Sequence, residues 1–133
     1  MIDDELDLQR SADRRAHDYL AGVAERRVFP DDEALAGLLR FDEPFPDQGR
    51  PGKETLSLLD AAGSPATVVS NGPHYFGFVI GAALPVASAA ERLALAWDQC
   101  ASSFTNSPTA DTVERTAARW VLEALDLPRE SAV

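Results

Sequence analysis

Gly72 to Gln99 reads "GPHYFGFVIGAALPVASAAERLALAWDQ", and the fold turns on whether this stretch spans a membrane, packs as a buried helix, or lines a site. From Tyr75 to Ala90 it is an uncharged run of 16 residues. That is short of the roughly 20 needed to cross hydrocarbon, and Pro85 interrupts it. Gly77 and Gly81 form a GxxxG, which signals helix pairing only inside a true spanning segment. The stretch therefore predicts an aromatic turn after Gly72-Pro73, then a helix starting near Ala82 or Ala83, with Pro85 in its first turn and an apolar face through Leu93, Ala96 and Trp97.

Working outward, the N-terminal side predicts a helix from about Leu6 to Glu25. Ala12, Ala16, Tyr19, Leu20 and Val23 share one face, with Asp3, Asp4 and Glu5 at the favourable end of the helix dipole and Arg26 and Arg27 at the other. Pro30 stops that segment. "DDEALAGLLR" predicts a short second helix capped by Asp31 or Asp32, with Leu35, Leu38 and Leu39 buried. "FDEPFPDQGRPG", residues 41–52, has three prolines and two glycines and reads as an extended connector. A third helix is expected from Glu54 to Ala62, ended by Gly63. Thr67 to Val69 is a β-branched run that either pairs as a strand or is simply extended. On the C-terminal side, Ser107 caps a last helix with Pro108 in its first position. Val113, Ala117, Trp120, Val121, Ala124 and Leu125 form its apolar face, and "DLP" at 126–128 ends it. The fold class is mostly α.

The composition narrows the function. The 133 residues, 45% of them hydrophobic, suffice for one domain with a core. A net charge of −10, with no Lys/Arg cluster to offset it locally, argues against nucleic-acid and anionic-membrane partners. The single cysteine, Cys100, excludes an internal disulfide framework, and the acidic start "MIDDELDLQR" is unlike a secretory or organellar leader, so a cytoplasmic location is expected. His17 and His74 lie far apart, without metal-ligand spacing, and there is no Walker loop and no GxGxxG. Cys100 is read as a small buried cysteine. Tyr75, Phe76 and Phe78 remain as the candidate site, three rings in a turn beside Gly77. A hydrophobic plug that seats the following helix is the competing account of them.

Three stretches resemble the N-terminal quarter to third of the group II pyridoxal-phosphate-dependent decarboxylases, the family of aromatic-amino-acid, cysteine sulfinate and glutamate decarboxylases. "GSPATVVSNGPHYFGFVIGAALPVASAAERLALAWDQ" (63–99) resembles the family's small–Pro–x–aromatic–Phe block and the helix after it. "SPTADTVERTAARWVLEALDLP" (107–128), with Glu114 and Trp120, resembles its Ser-Pro-started helix. "RFDEPFPDQG" (40–49) resembles its Pro-rich arm. The resemblance covers nearly the whole chain. It implies the N-terminal helical region of a type I, aspartate-aminotransferase-like enzyme. Residues 1–40 would be a helical arm, 41–52 the connector, and 53–133 the aromatic block with two dimer-core helices. It further implies a homodimer, Tyr75, Phe76 and Phe78 at the substrate end of the site, and the 102–106 loop near the subunit interface. Glutamate-specific members resemble one another in carrying Asn-Gln where this chain has Gly77-Phe78, which favours an aromatic or otherwise uncharged amino acid here.

The family's Schiff-base lysine lies in a large α/β domain, after a histidine. The only lysine here is Lys53, in "GRPGKET", which does not match that context. The expectation is an N-terminal piece without the large domain, which neither binds pyridoxal phosphate specifically nor catalyses by itself. A non-catalytic helical interaction or dimerisation module is the alternative, and a stand-alone small-molecule binder using the aromatic cluster is a third.

Overall fold

The structure, a computed structural model, describes residues 2–131. Met1, Ala132, Val133 and the side chains of Ile2 and Asp3 lie outside that description, and with them Asp3's expected part in the first helix's acidic head. Among the described residues there are five α-helices: α1 (Ile2–Ala21), α2 (Asp32–Gly37), α3 (Gly52–Leu58), α4 (Pro85–Trp97) and α5 (Pro108–Ala124). No strand occurs among the described residues, so the chain is helical, and Thr67–Val69 runs extended. No described helix is long and apolar enough to cross a membrane. The chain divides into two compact units, residues 1–82 and 83–133.

In the first unit α1 ends at Ala21, four residues short of Glu25. Gly22 follows, a poor helix former, and the backbone tightens into i→i−3 bonds from Val23 to Leu20 and from Glu25 to Gly22. Asp31 caps α2 by accepting from the Ala34 N–H at 3.0 Å. A 3₁₀ turn, Leu38–Phe41, follows, and Leu35, Leu38 and Leu39 are exposed where burial was expected, since this short amphipathic piece has too little of the unit laid against it. Beyond α3 the helix widens into a π turn, Leu59–Gly63, then tightens into a 3₁₀ turn, Ser64–Ala66. Gly63 stays right-handed at φ −82°, not in the left-handed cap conformation expected of it. Continuing inward, the π turn buries Ala62 and sends Asp60 toward α1.

Polar cross-links bind this unit. Arg15 of α1 pairs with Asp60 and donates through Nη2 to Ser57 Oγ at 3.0 Å. Tyr19 Oη lies 2.9 Å from Thr67 Oγ1, and the Thr67 hydroxyl itself donates to Ser64 O, so Tyr19 is the donor of that pair. Arg26 donates to the Ser64 carbonyl and lies over the Tyr19 ring, 4.2 Å from its centroid. The Val69 N–H donates to Val28 O at 3.0 Å and Val69 is buried, so the extended run is stitched to the chain after α1.

The second unit is built by local signals. Pro85 takes the first position of α4, and Asp98, left-handed at φ 48°, ends it. Ser107 is fully buried and caps α5 by accepting from the Ala110 N–H at 3.3 Å. At the far end Asp126 is left-handed, and the Leu127 N–H returns to Leu122 O at 2.9 Å, which closes the helix as a Schellman cap does. The buried side chain here is Leu122; Val113, Trp120, Val121 and Leu125 of the expected inner face are exposed. The periodicity was right about the helix, but the apolar face it defines points to solvent.

Candidate functional site

The aromatic segment begins where the chain leaves the core of the first unit. A Cβ on Gly72 would stand 2.8 Å from Val69 Cγ1 and 3.4 Å from Val23 O, so only glycine passes there without displacing the chain. The Gly72 N–H donates to Val69 O, and Gly72 O accepts from the Tyr75 N–H at 3.3 Å. The three rings then part. Tyr75 is half-buried and folds back on its own loop, its hydroxyl 3.0 Å from where a Gly77 Cβ would lie. The space that Gly77 opens is thus filled by the chain's own ring. Phe76 and Phe78 are 93% and 91% exposed.

Phe78 and Val79 both hold φ near +55° (53° and 55°), and a branched side chain in that region costs about 1–2 kcal/mol. Exposed apolar groups on a strained turn gain nothing from the unit they belong to. The same applies to α4, where Leu84, Val86, Leu93, Leu95 and Trp97, from its N-cap to its last residue, are all exposed. The 102–106 loop is closed by side chains: Asn106 Nδ2 donates to Ser102 Oγ at 2.7 Å, and the Cys100 thiol lies 3.4 Å from the same oxygen. Cys100 is exposed, not buried as expected, because it lies in the short turn after α4 with nothing laid over it, and the Ser102 hydroxyl, and after it the Ser102 backbone, hold its thiol below the ordinary value.

Concave surface lies elsewhere in the first unit, on either side of the π turn. One hollow of about 550 Å³ is bordered by Arg26, Arg27, Pro30, Ala34, Ala62 and Val69. Another of about 550 Å³ is largely apolar, with Ala12, Ala16, Leu20, Leu56 and Leu59 around Tyr19. Neither is lined by Tyr75, Phe76 or Phe78. These hollows were not read from the sequence. The available signal was the spacing of Arg15 and Tyr19, which share a helix face with the apolar stripe and so point polar atoms at whatever covers it.

No group of three or more His, Cys, Asp or Glu side chains among the described residues could hold a metal ion. Pyridoxal phosphate would need a lysine amine, a wall to sandwich its ring, and an acid facing the pyridine nitrogen. Lys53 is exposed, and its surroundings are Asp7, Ser11, Arg14, Arg15 and Ser57, with no aromatic or branched wall among them. The residues present do not fit the cofactor. No family model, curated protein or solved structure matches the chain.

Proposed function

We propose that this chain forms the N-terminal helical region of a group II pyridoxal-phosphate-dependent amino-acid decarboxylase, whose apolar surface is covered by a large cofactor-bearing domain and by a second subunit. The carrying observation is the extent of that surface. Two wholly separate compact bodies, divided at residue 82, would expose about 8,000 Å² together, whereas the chain exposes 10949 Å². Among the described hydrophobic residues only Ala62, Val69 and Leu122 are buried, although 45% of the sequence is hydrophobic. A helix as apolar as α4 belongs inside a larger assembly.

In this reading Tyr75, Phe76 and Phe78 come to line the substrate end of the site once the segment is covered. Phe78 offers no amide to a side-chain carboxylate, so an acidic substrate loses a partner worth about 1–3 kcal/mol, and an aromatic or uncharged amino acid is favoured. The decarboxylation chemistry belongs to the covering domain, since Lys53 is unsuited to it. The chain by itself is not catalytic. The same exposed surface also favours a second reading, a helical dimerisation module without chemistry.

A chimera separates the two. Residues 1–133 replace the corresponding region of a full-length aromatic-amino-acid decarboxylase, and assembly and turnover are measured. The expected product is a dimer that turns over tyrosine, tryptophan or dihydroxyphenylalanine faster than glutamate or aspartate. Faster turnover of the acidic substrates sinks the substrate assignment. A chimera that does not assemble, beside an isolated chain that dimerises, leaves the module.

A further inference from the structure

Along the sequence the basic residues are dispersed among acids, but folding gathers three of them. Arg14 and Arg15 of α1 and Lys53 of α3 line one hollow of about 420 Å³, together with the hydroxyl-bearing Ser11 and Ser57 and one carboxylate, Asp7. The two contributing segments lie some forty residues apart in the sequence. We propose that this hollow is a binding site for inorganic phosphate or a small aliphatic phosphate monoester, which, unlike pyridoxal phosphate, asks for no wall to hold a ring.

Its parts differ in role. Arg15 is fixed from behind by Asp60 and Ser57, which sets its guanidinium in one place before any ligand arrives. Ser57 Oγ accepts from Arg15, so its own proton is left to donate. Asp7 is engaged by Arg10, with Nη1 to Oδ1 at 3.2 Å, which blunts the one negative charge on the rim. Arg14 and Lys53 answer no carboxylate among the described residues. Asp60 balances Arg15, so Arg14 and Lys53 are the two charges left for an anion. A dianion meets the Arg14 guanidinium fork, the Lys53 ammonium and the Ser57 hydroxyl. The acidic remainder of the chain repels a polyphosphate backbone, which favours a small ligand over a polymer.

The site is independent of the decarboxylase assignment and stands or falls separately. The intact chain is titrated with inorganic phosphate and with glycerol phosphate at constant ionic strength, and the amide resonances of Ser11, Arg14, Lys53 and Ser57 are followed. Saturable shifts confined to these residues are expected. Arg14→Ala and Lys53→Gln should each weaken binding about three- to tenfold. Both side chains are exposed, so a dispersed amide spectrum in each variant confirms that the fold survives. Shifts that never saturate, or that persist undiminished in the double variant, overturn the site. So does binding to phosphatidic-acid vesicles without binding to either soluble phosphate.

Discussion

The two units are held together by different means. In the first, side chains far apart in sequence lock onto each other: Arg15 to Asp60, Arg26 to Ser64, Tyr19 to Thr67, and the Val69 backbone to Val28. In the second, caps and turns set the elements: Ser107 on Ala110, Asn106 on Ser102, Thr112 on Pro108, and the Leu127 return to Leu122. The first unit needs few apolar contacts, because polar cross-links specify how its helices meet. The second has well-specified helices and leaves their apolar faces open. A segment of that kind takes its stability from whatever covers it.

The largest effect that would break this contrast is at Leu122, the buried apolar anchor of the second unit. Leu122→Ala should cost about 2–4 kcal/mol, at the lower end if the open surroundings collapse into the gap. Both tryptophans, Trp97 and Trp120, lie in this unit, so urea unfolding followed by tryptophan fluorescence reads it alone. A midpoint unchanged from the parent chain would mean that Leu122 is not what holds α5.

A smaller effect tests the cross-links. Arg15 and Asp60 side chains are 31% and 35% exposed, so solvent weakens their attraction. With the Ser57 bond and the packing of its stem included, Arg15→Ala should cost about 1–2 kcal/mol. The loss should appear as faster hydrogen exchange in α1 and α3, with the tryptophan transition unmoved. A shift of that transition instead would show that the units do not respond separately.

The smallest effect sharpens the local side of the contrast. The Ser102 hydroxyl lowers the Cys100 pKa, so at a given pH below it more thiolate is present than in an ordinary exposed thiol. The rate of alkylation by iodoacetamide against pH should therefore have its midpoint below that of an ordinary exposed thiol in the parent chain. Ser102→Ala should move that midpoint upward and slow the reaction at pH 8. If the two profiles coincide, the loop is not ordered by its own side chains.

What the sequence determined by itself was whatever is settled within a turn or two of chain. Ser107-Pro108 started α5, Asp31 capped α2, and Pro85 took the first turn of α4, because a cap is a bond between a side chain and a backbone N–H three residues away. The mostly helical class follows from the same local rules. Element ends shifted where weak propensities competed: Gly22 ended α1 early, and the π turn carried Gly63 past the stop expected there. Of the candidate site, the segment was legible from its aromatic residues and flanking turn signals, but the divergence of Tyr75 from Phe76 and Phe78 was not. Only the tertiary structure decided that divergence, the burial of Leu122 in place of the stripe beside it, and the meeting of Arg14, Arg15 and Lys53 in one hollow. A pair forty residues apart leaves no periodic trace in the chain. Its members come to line one hollow only when α1 and α3 pack, an arrangement that the sequence does not encode locally.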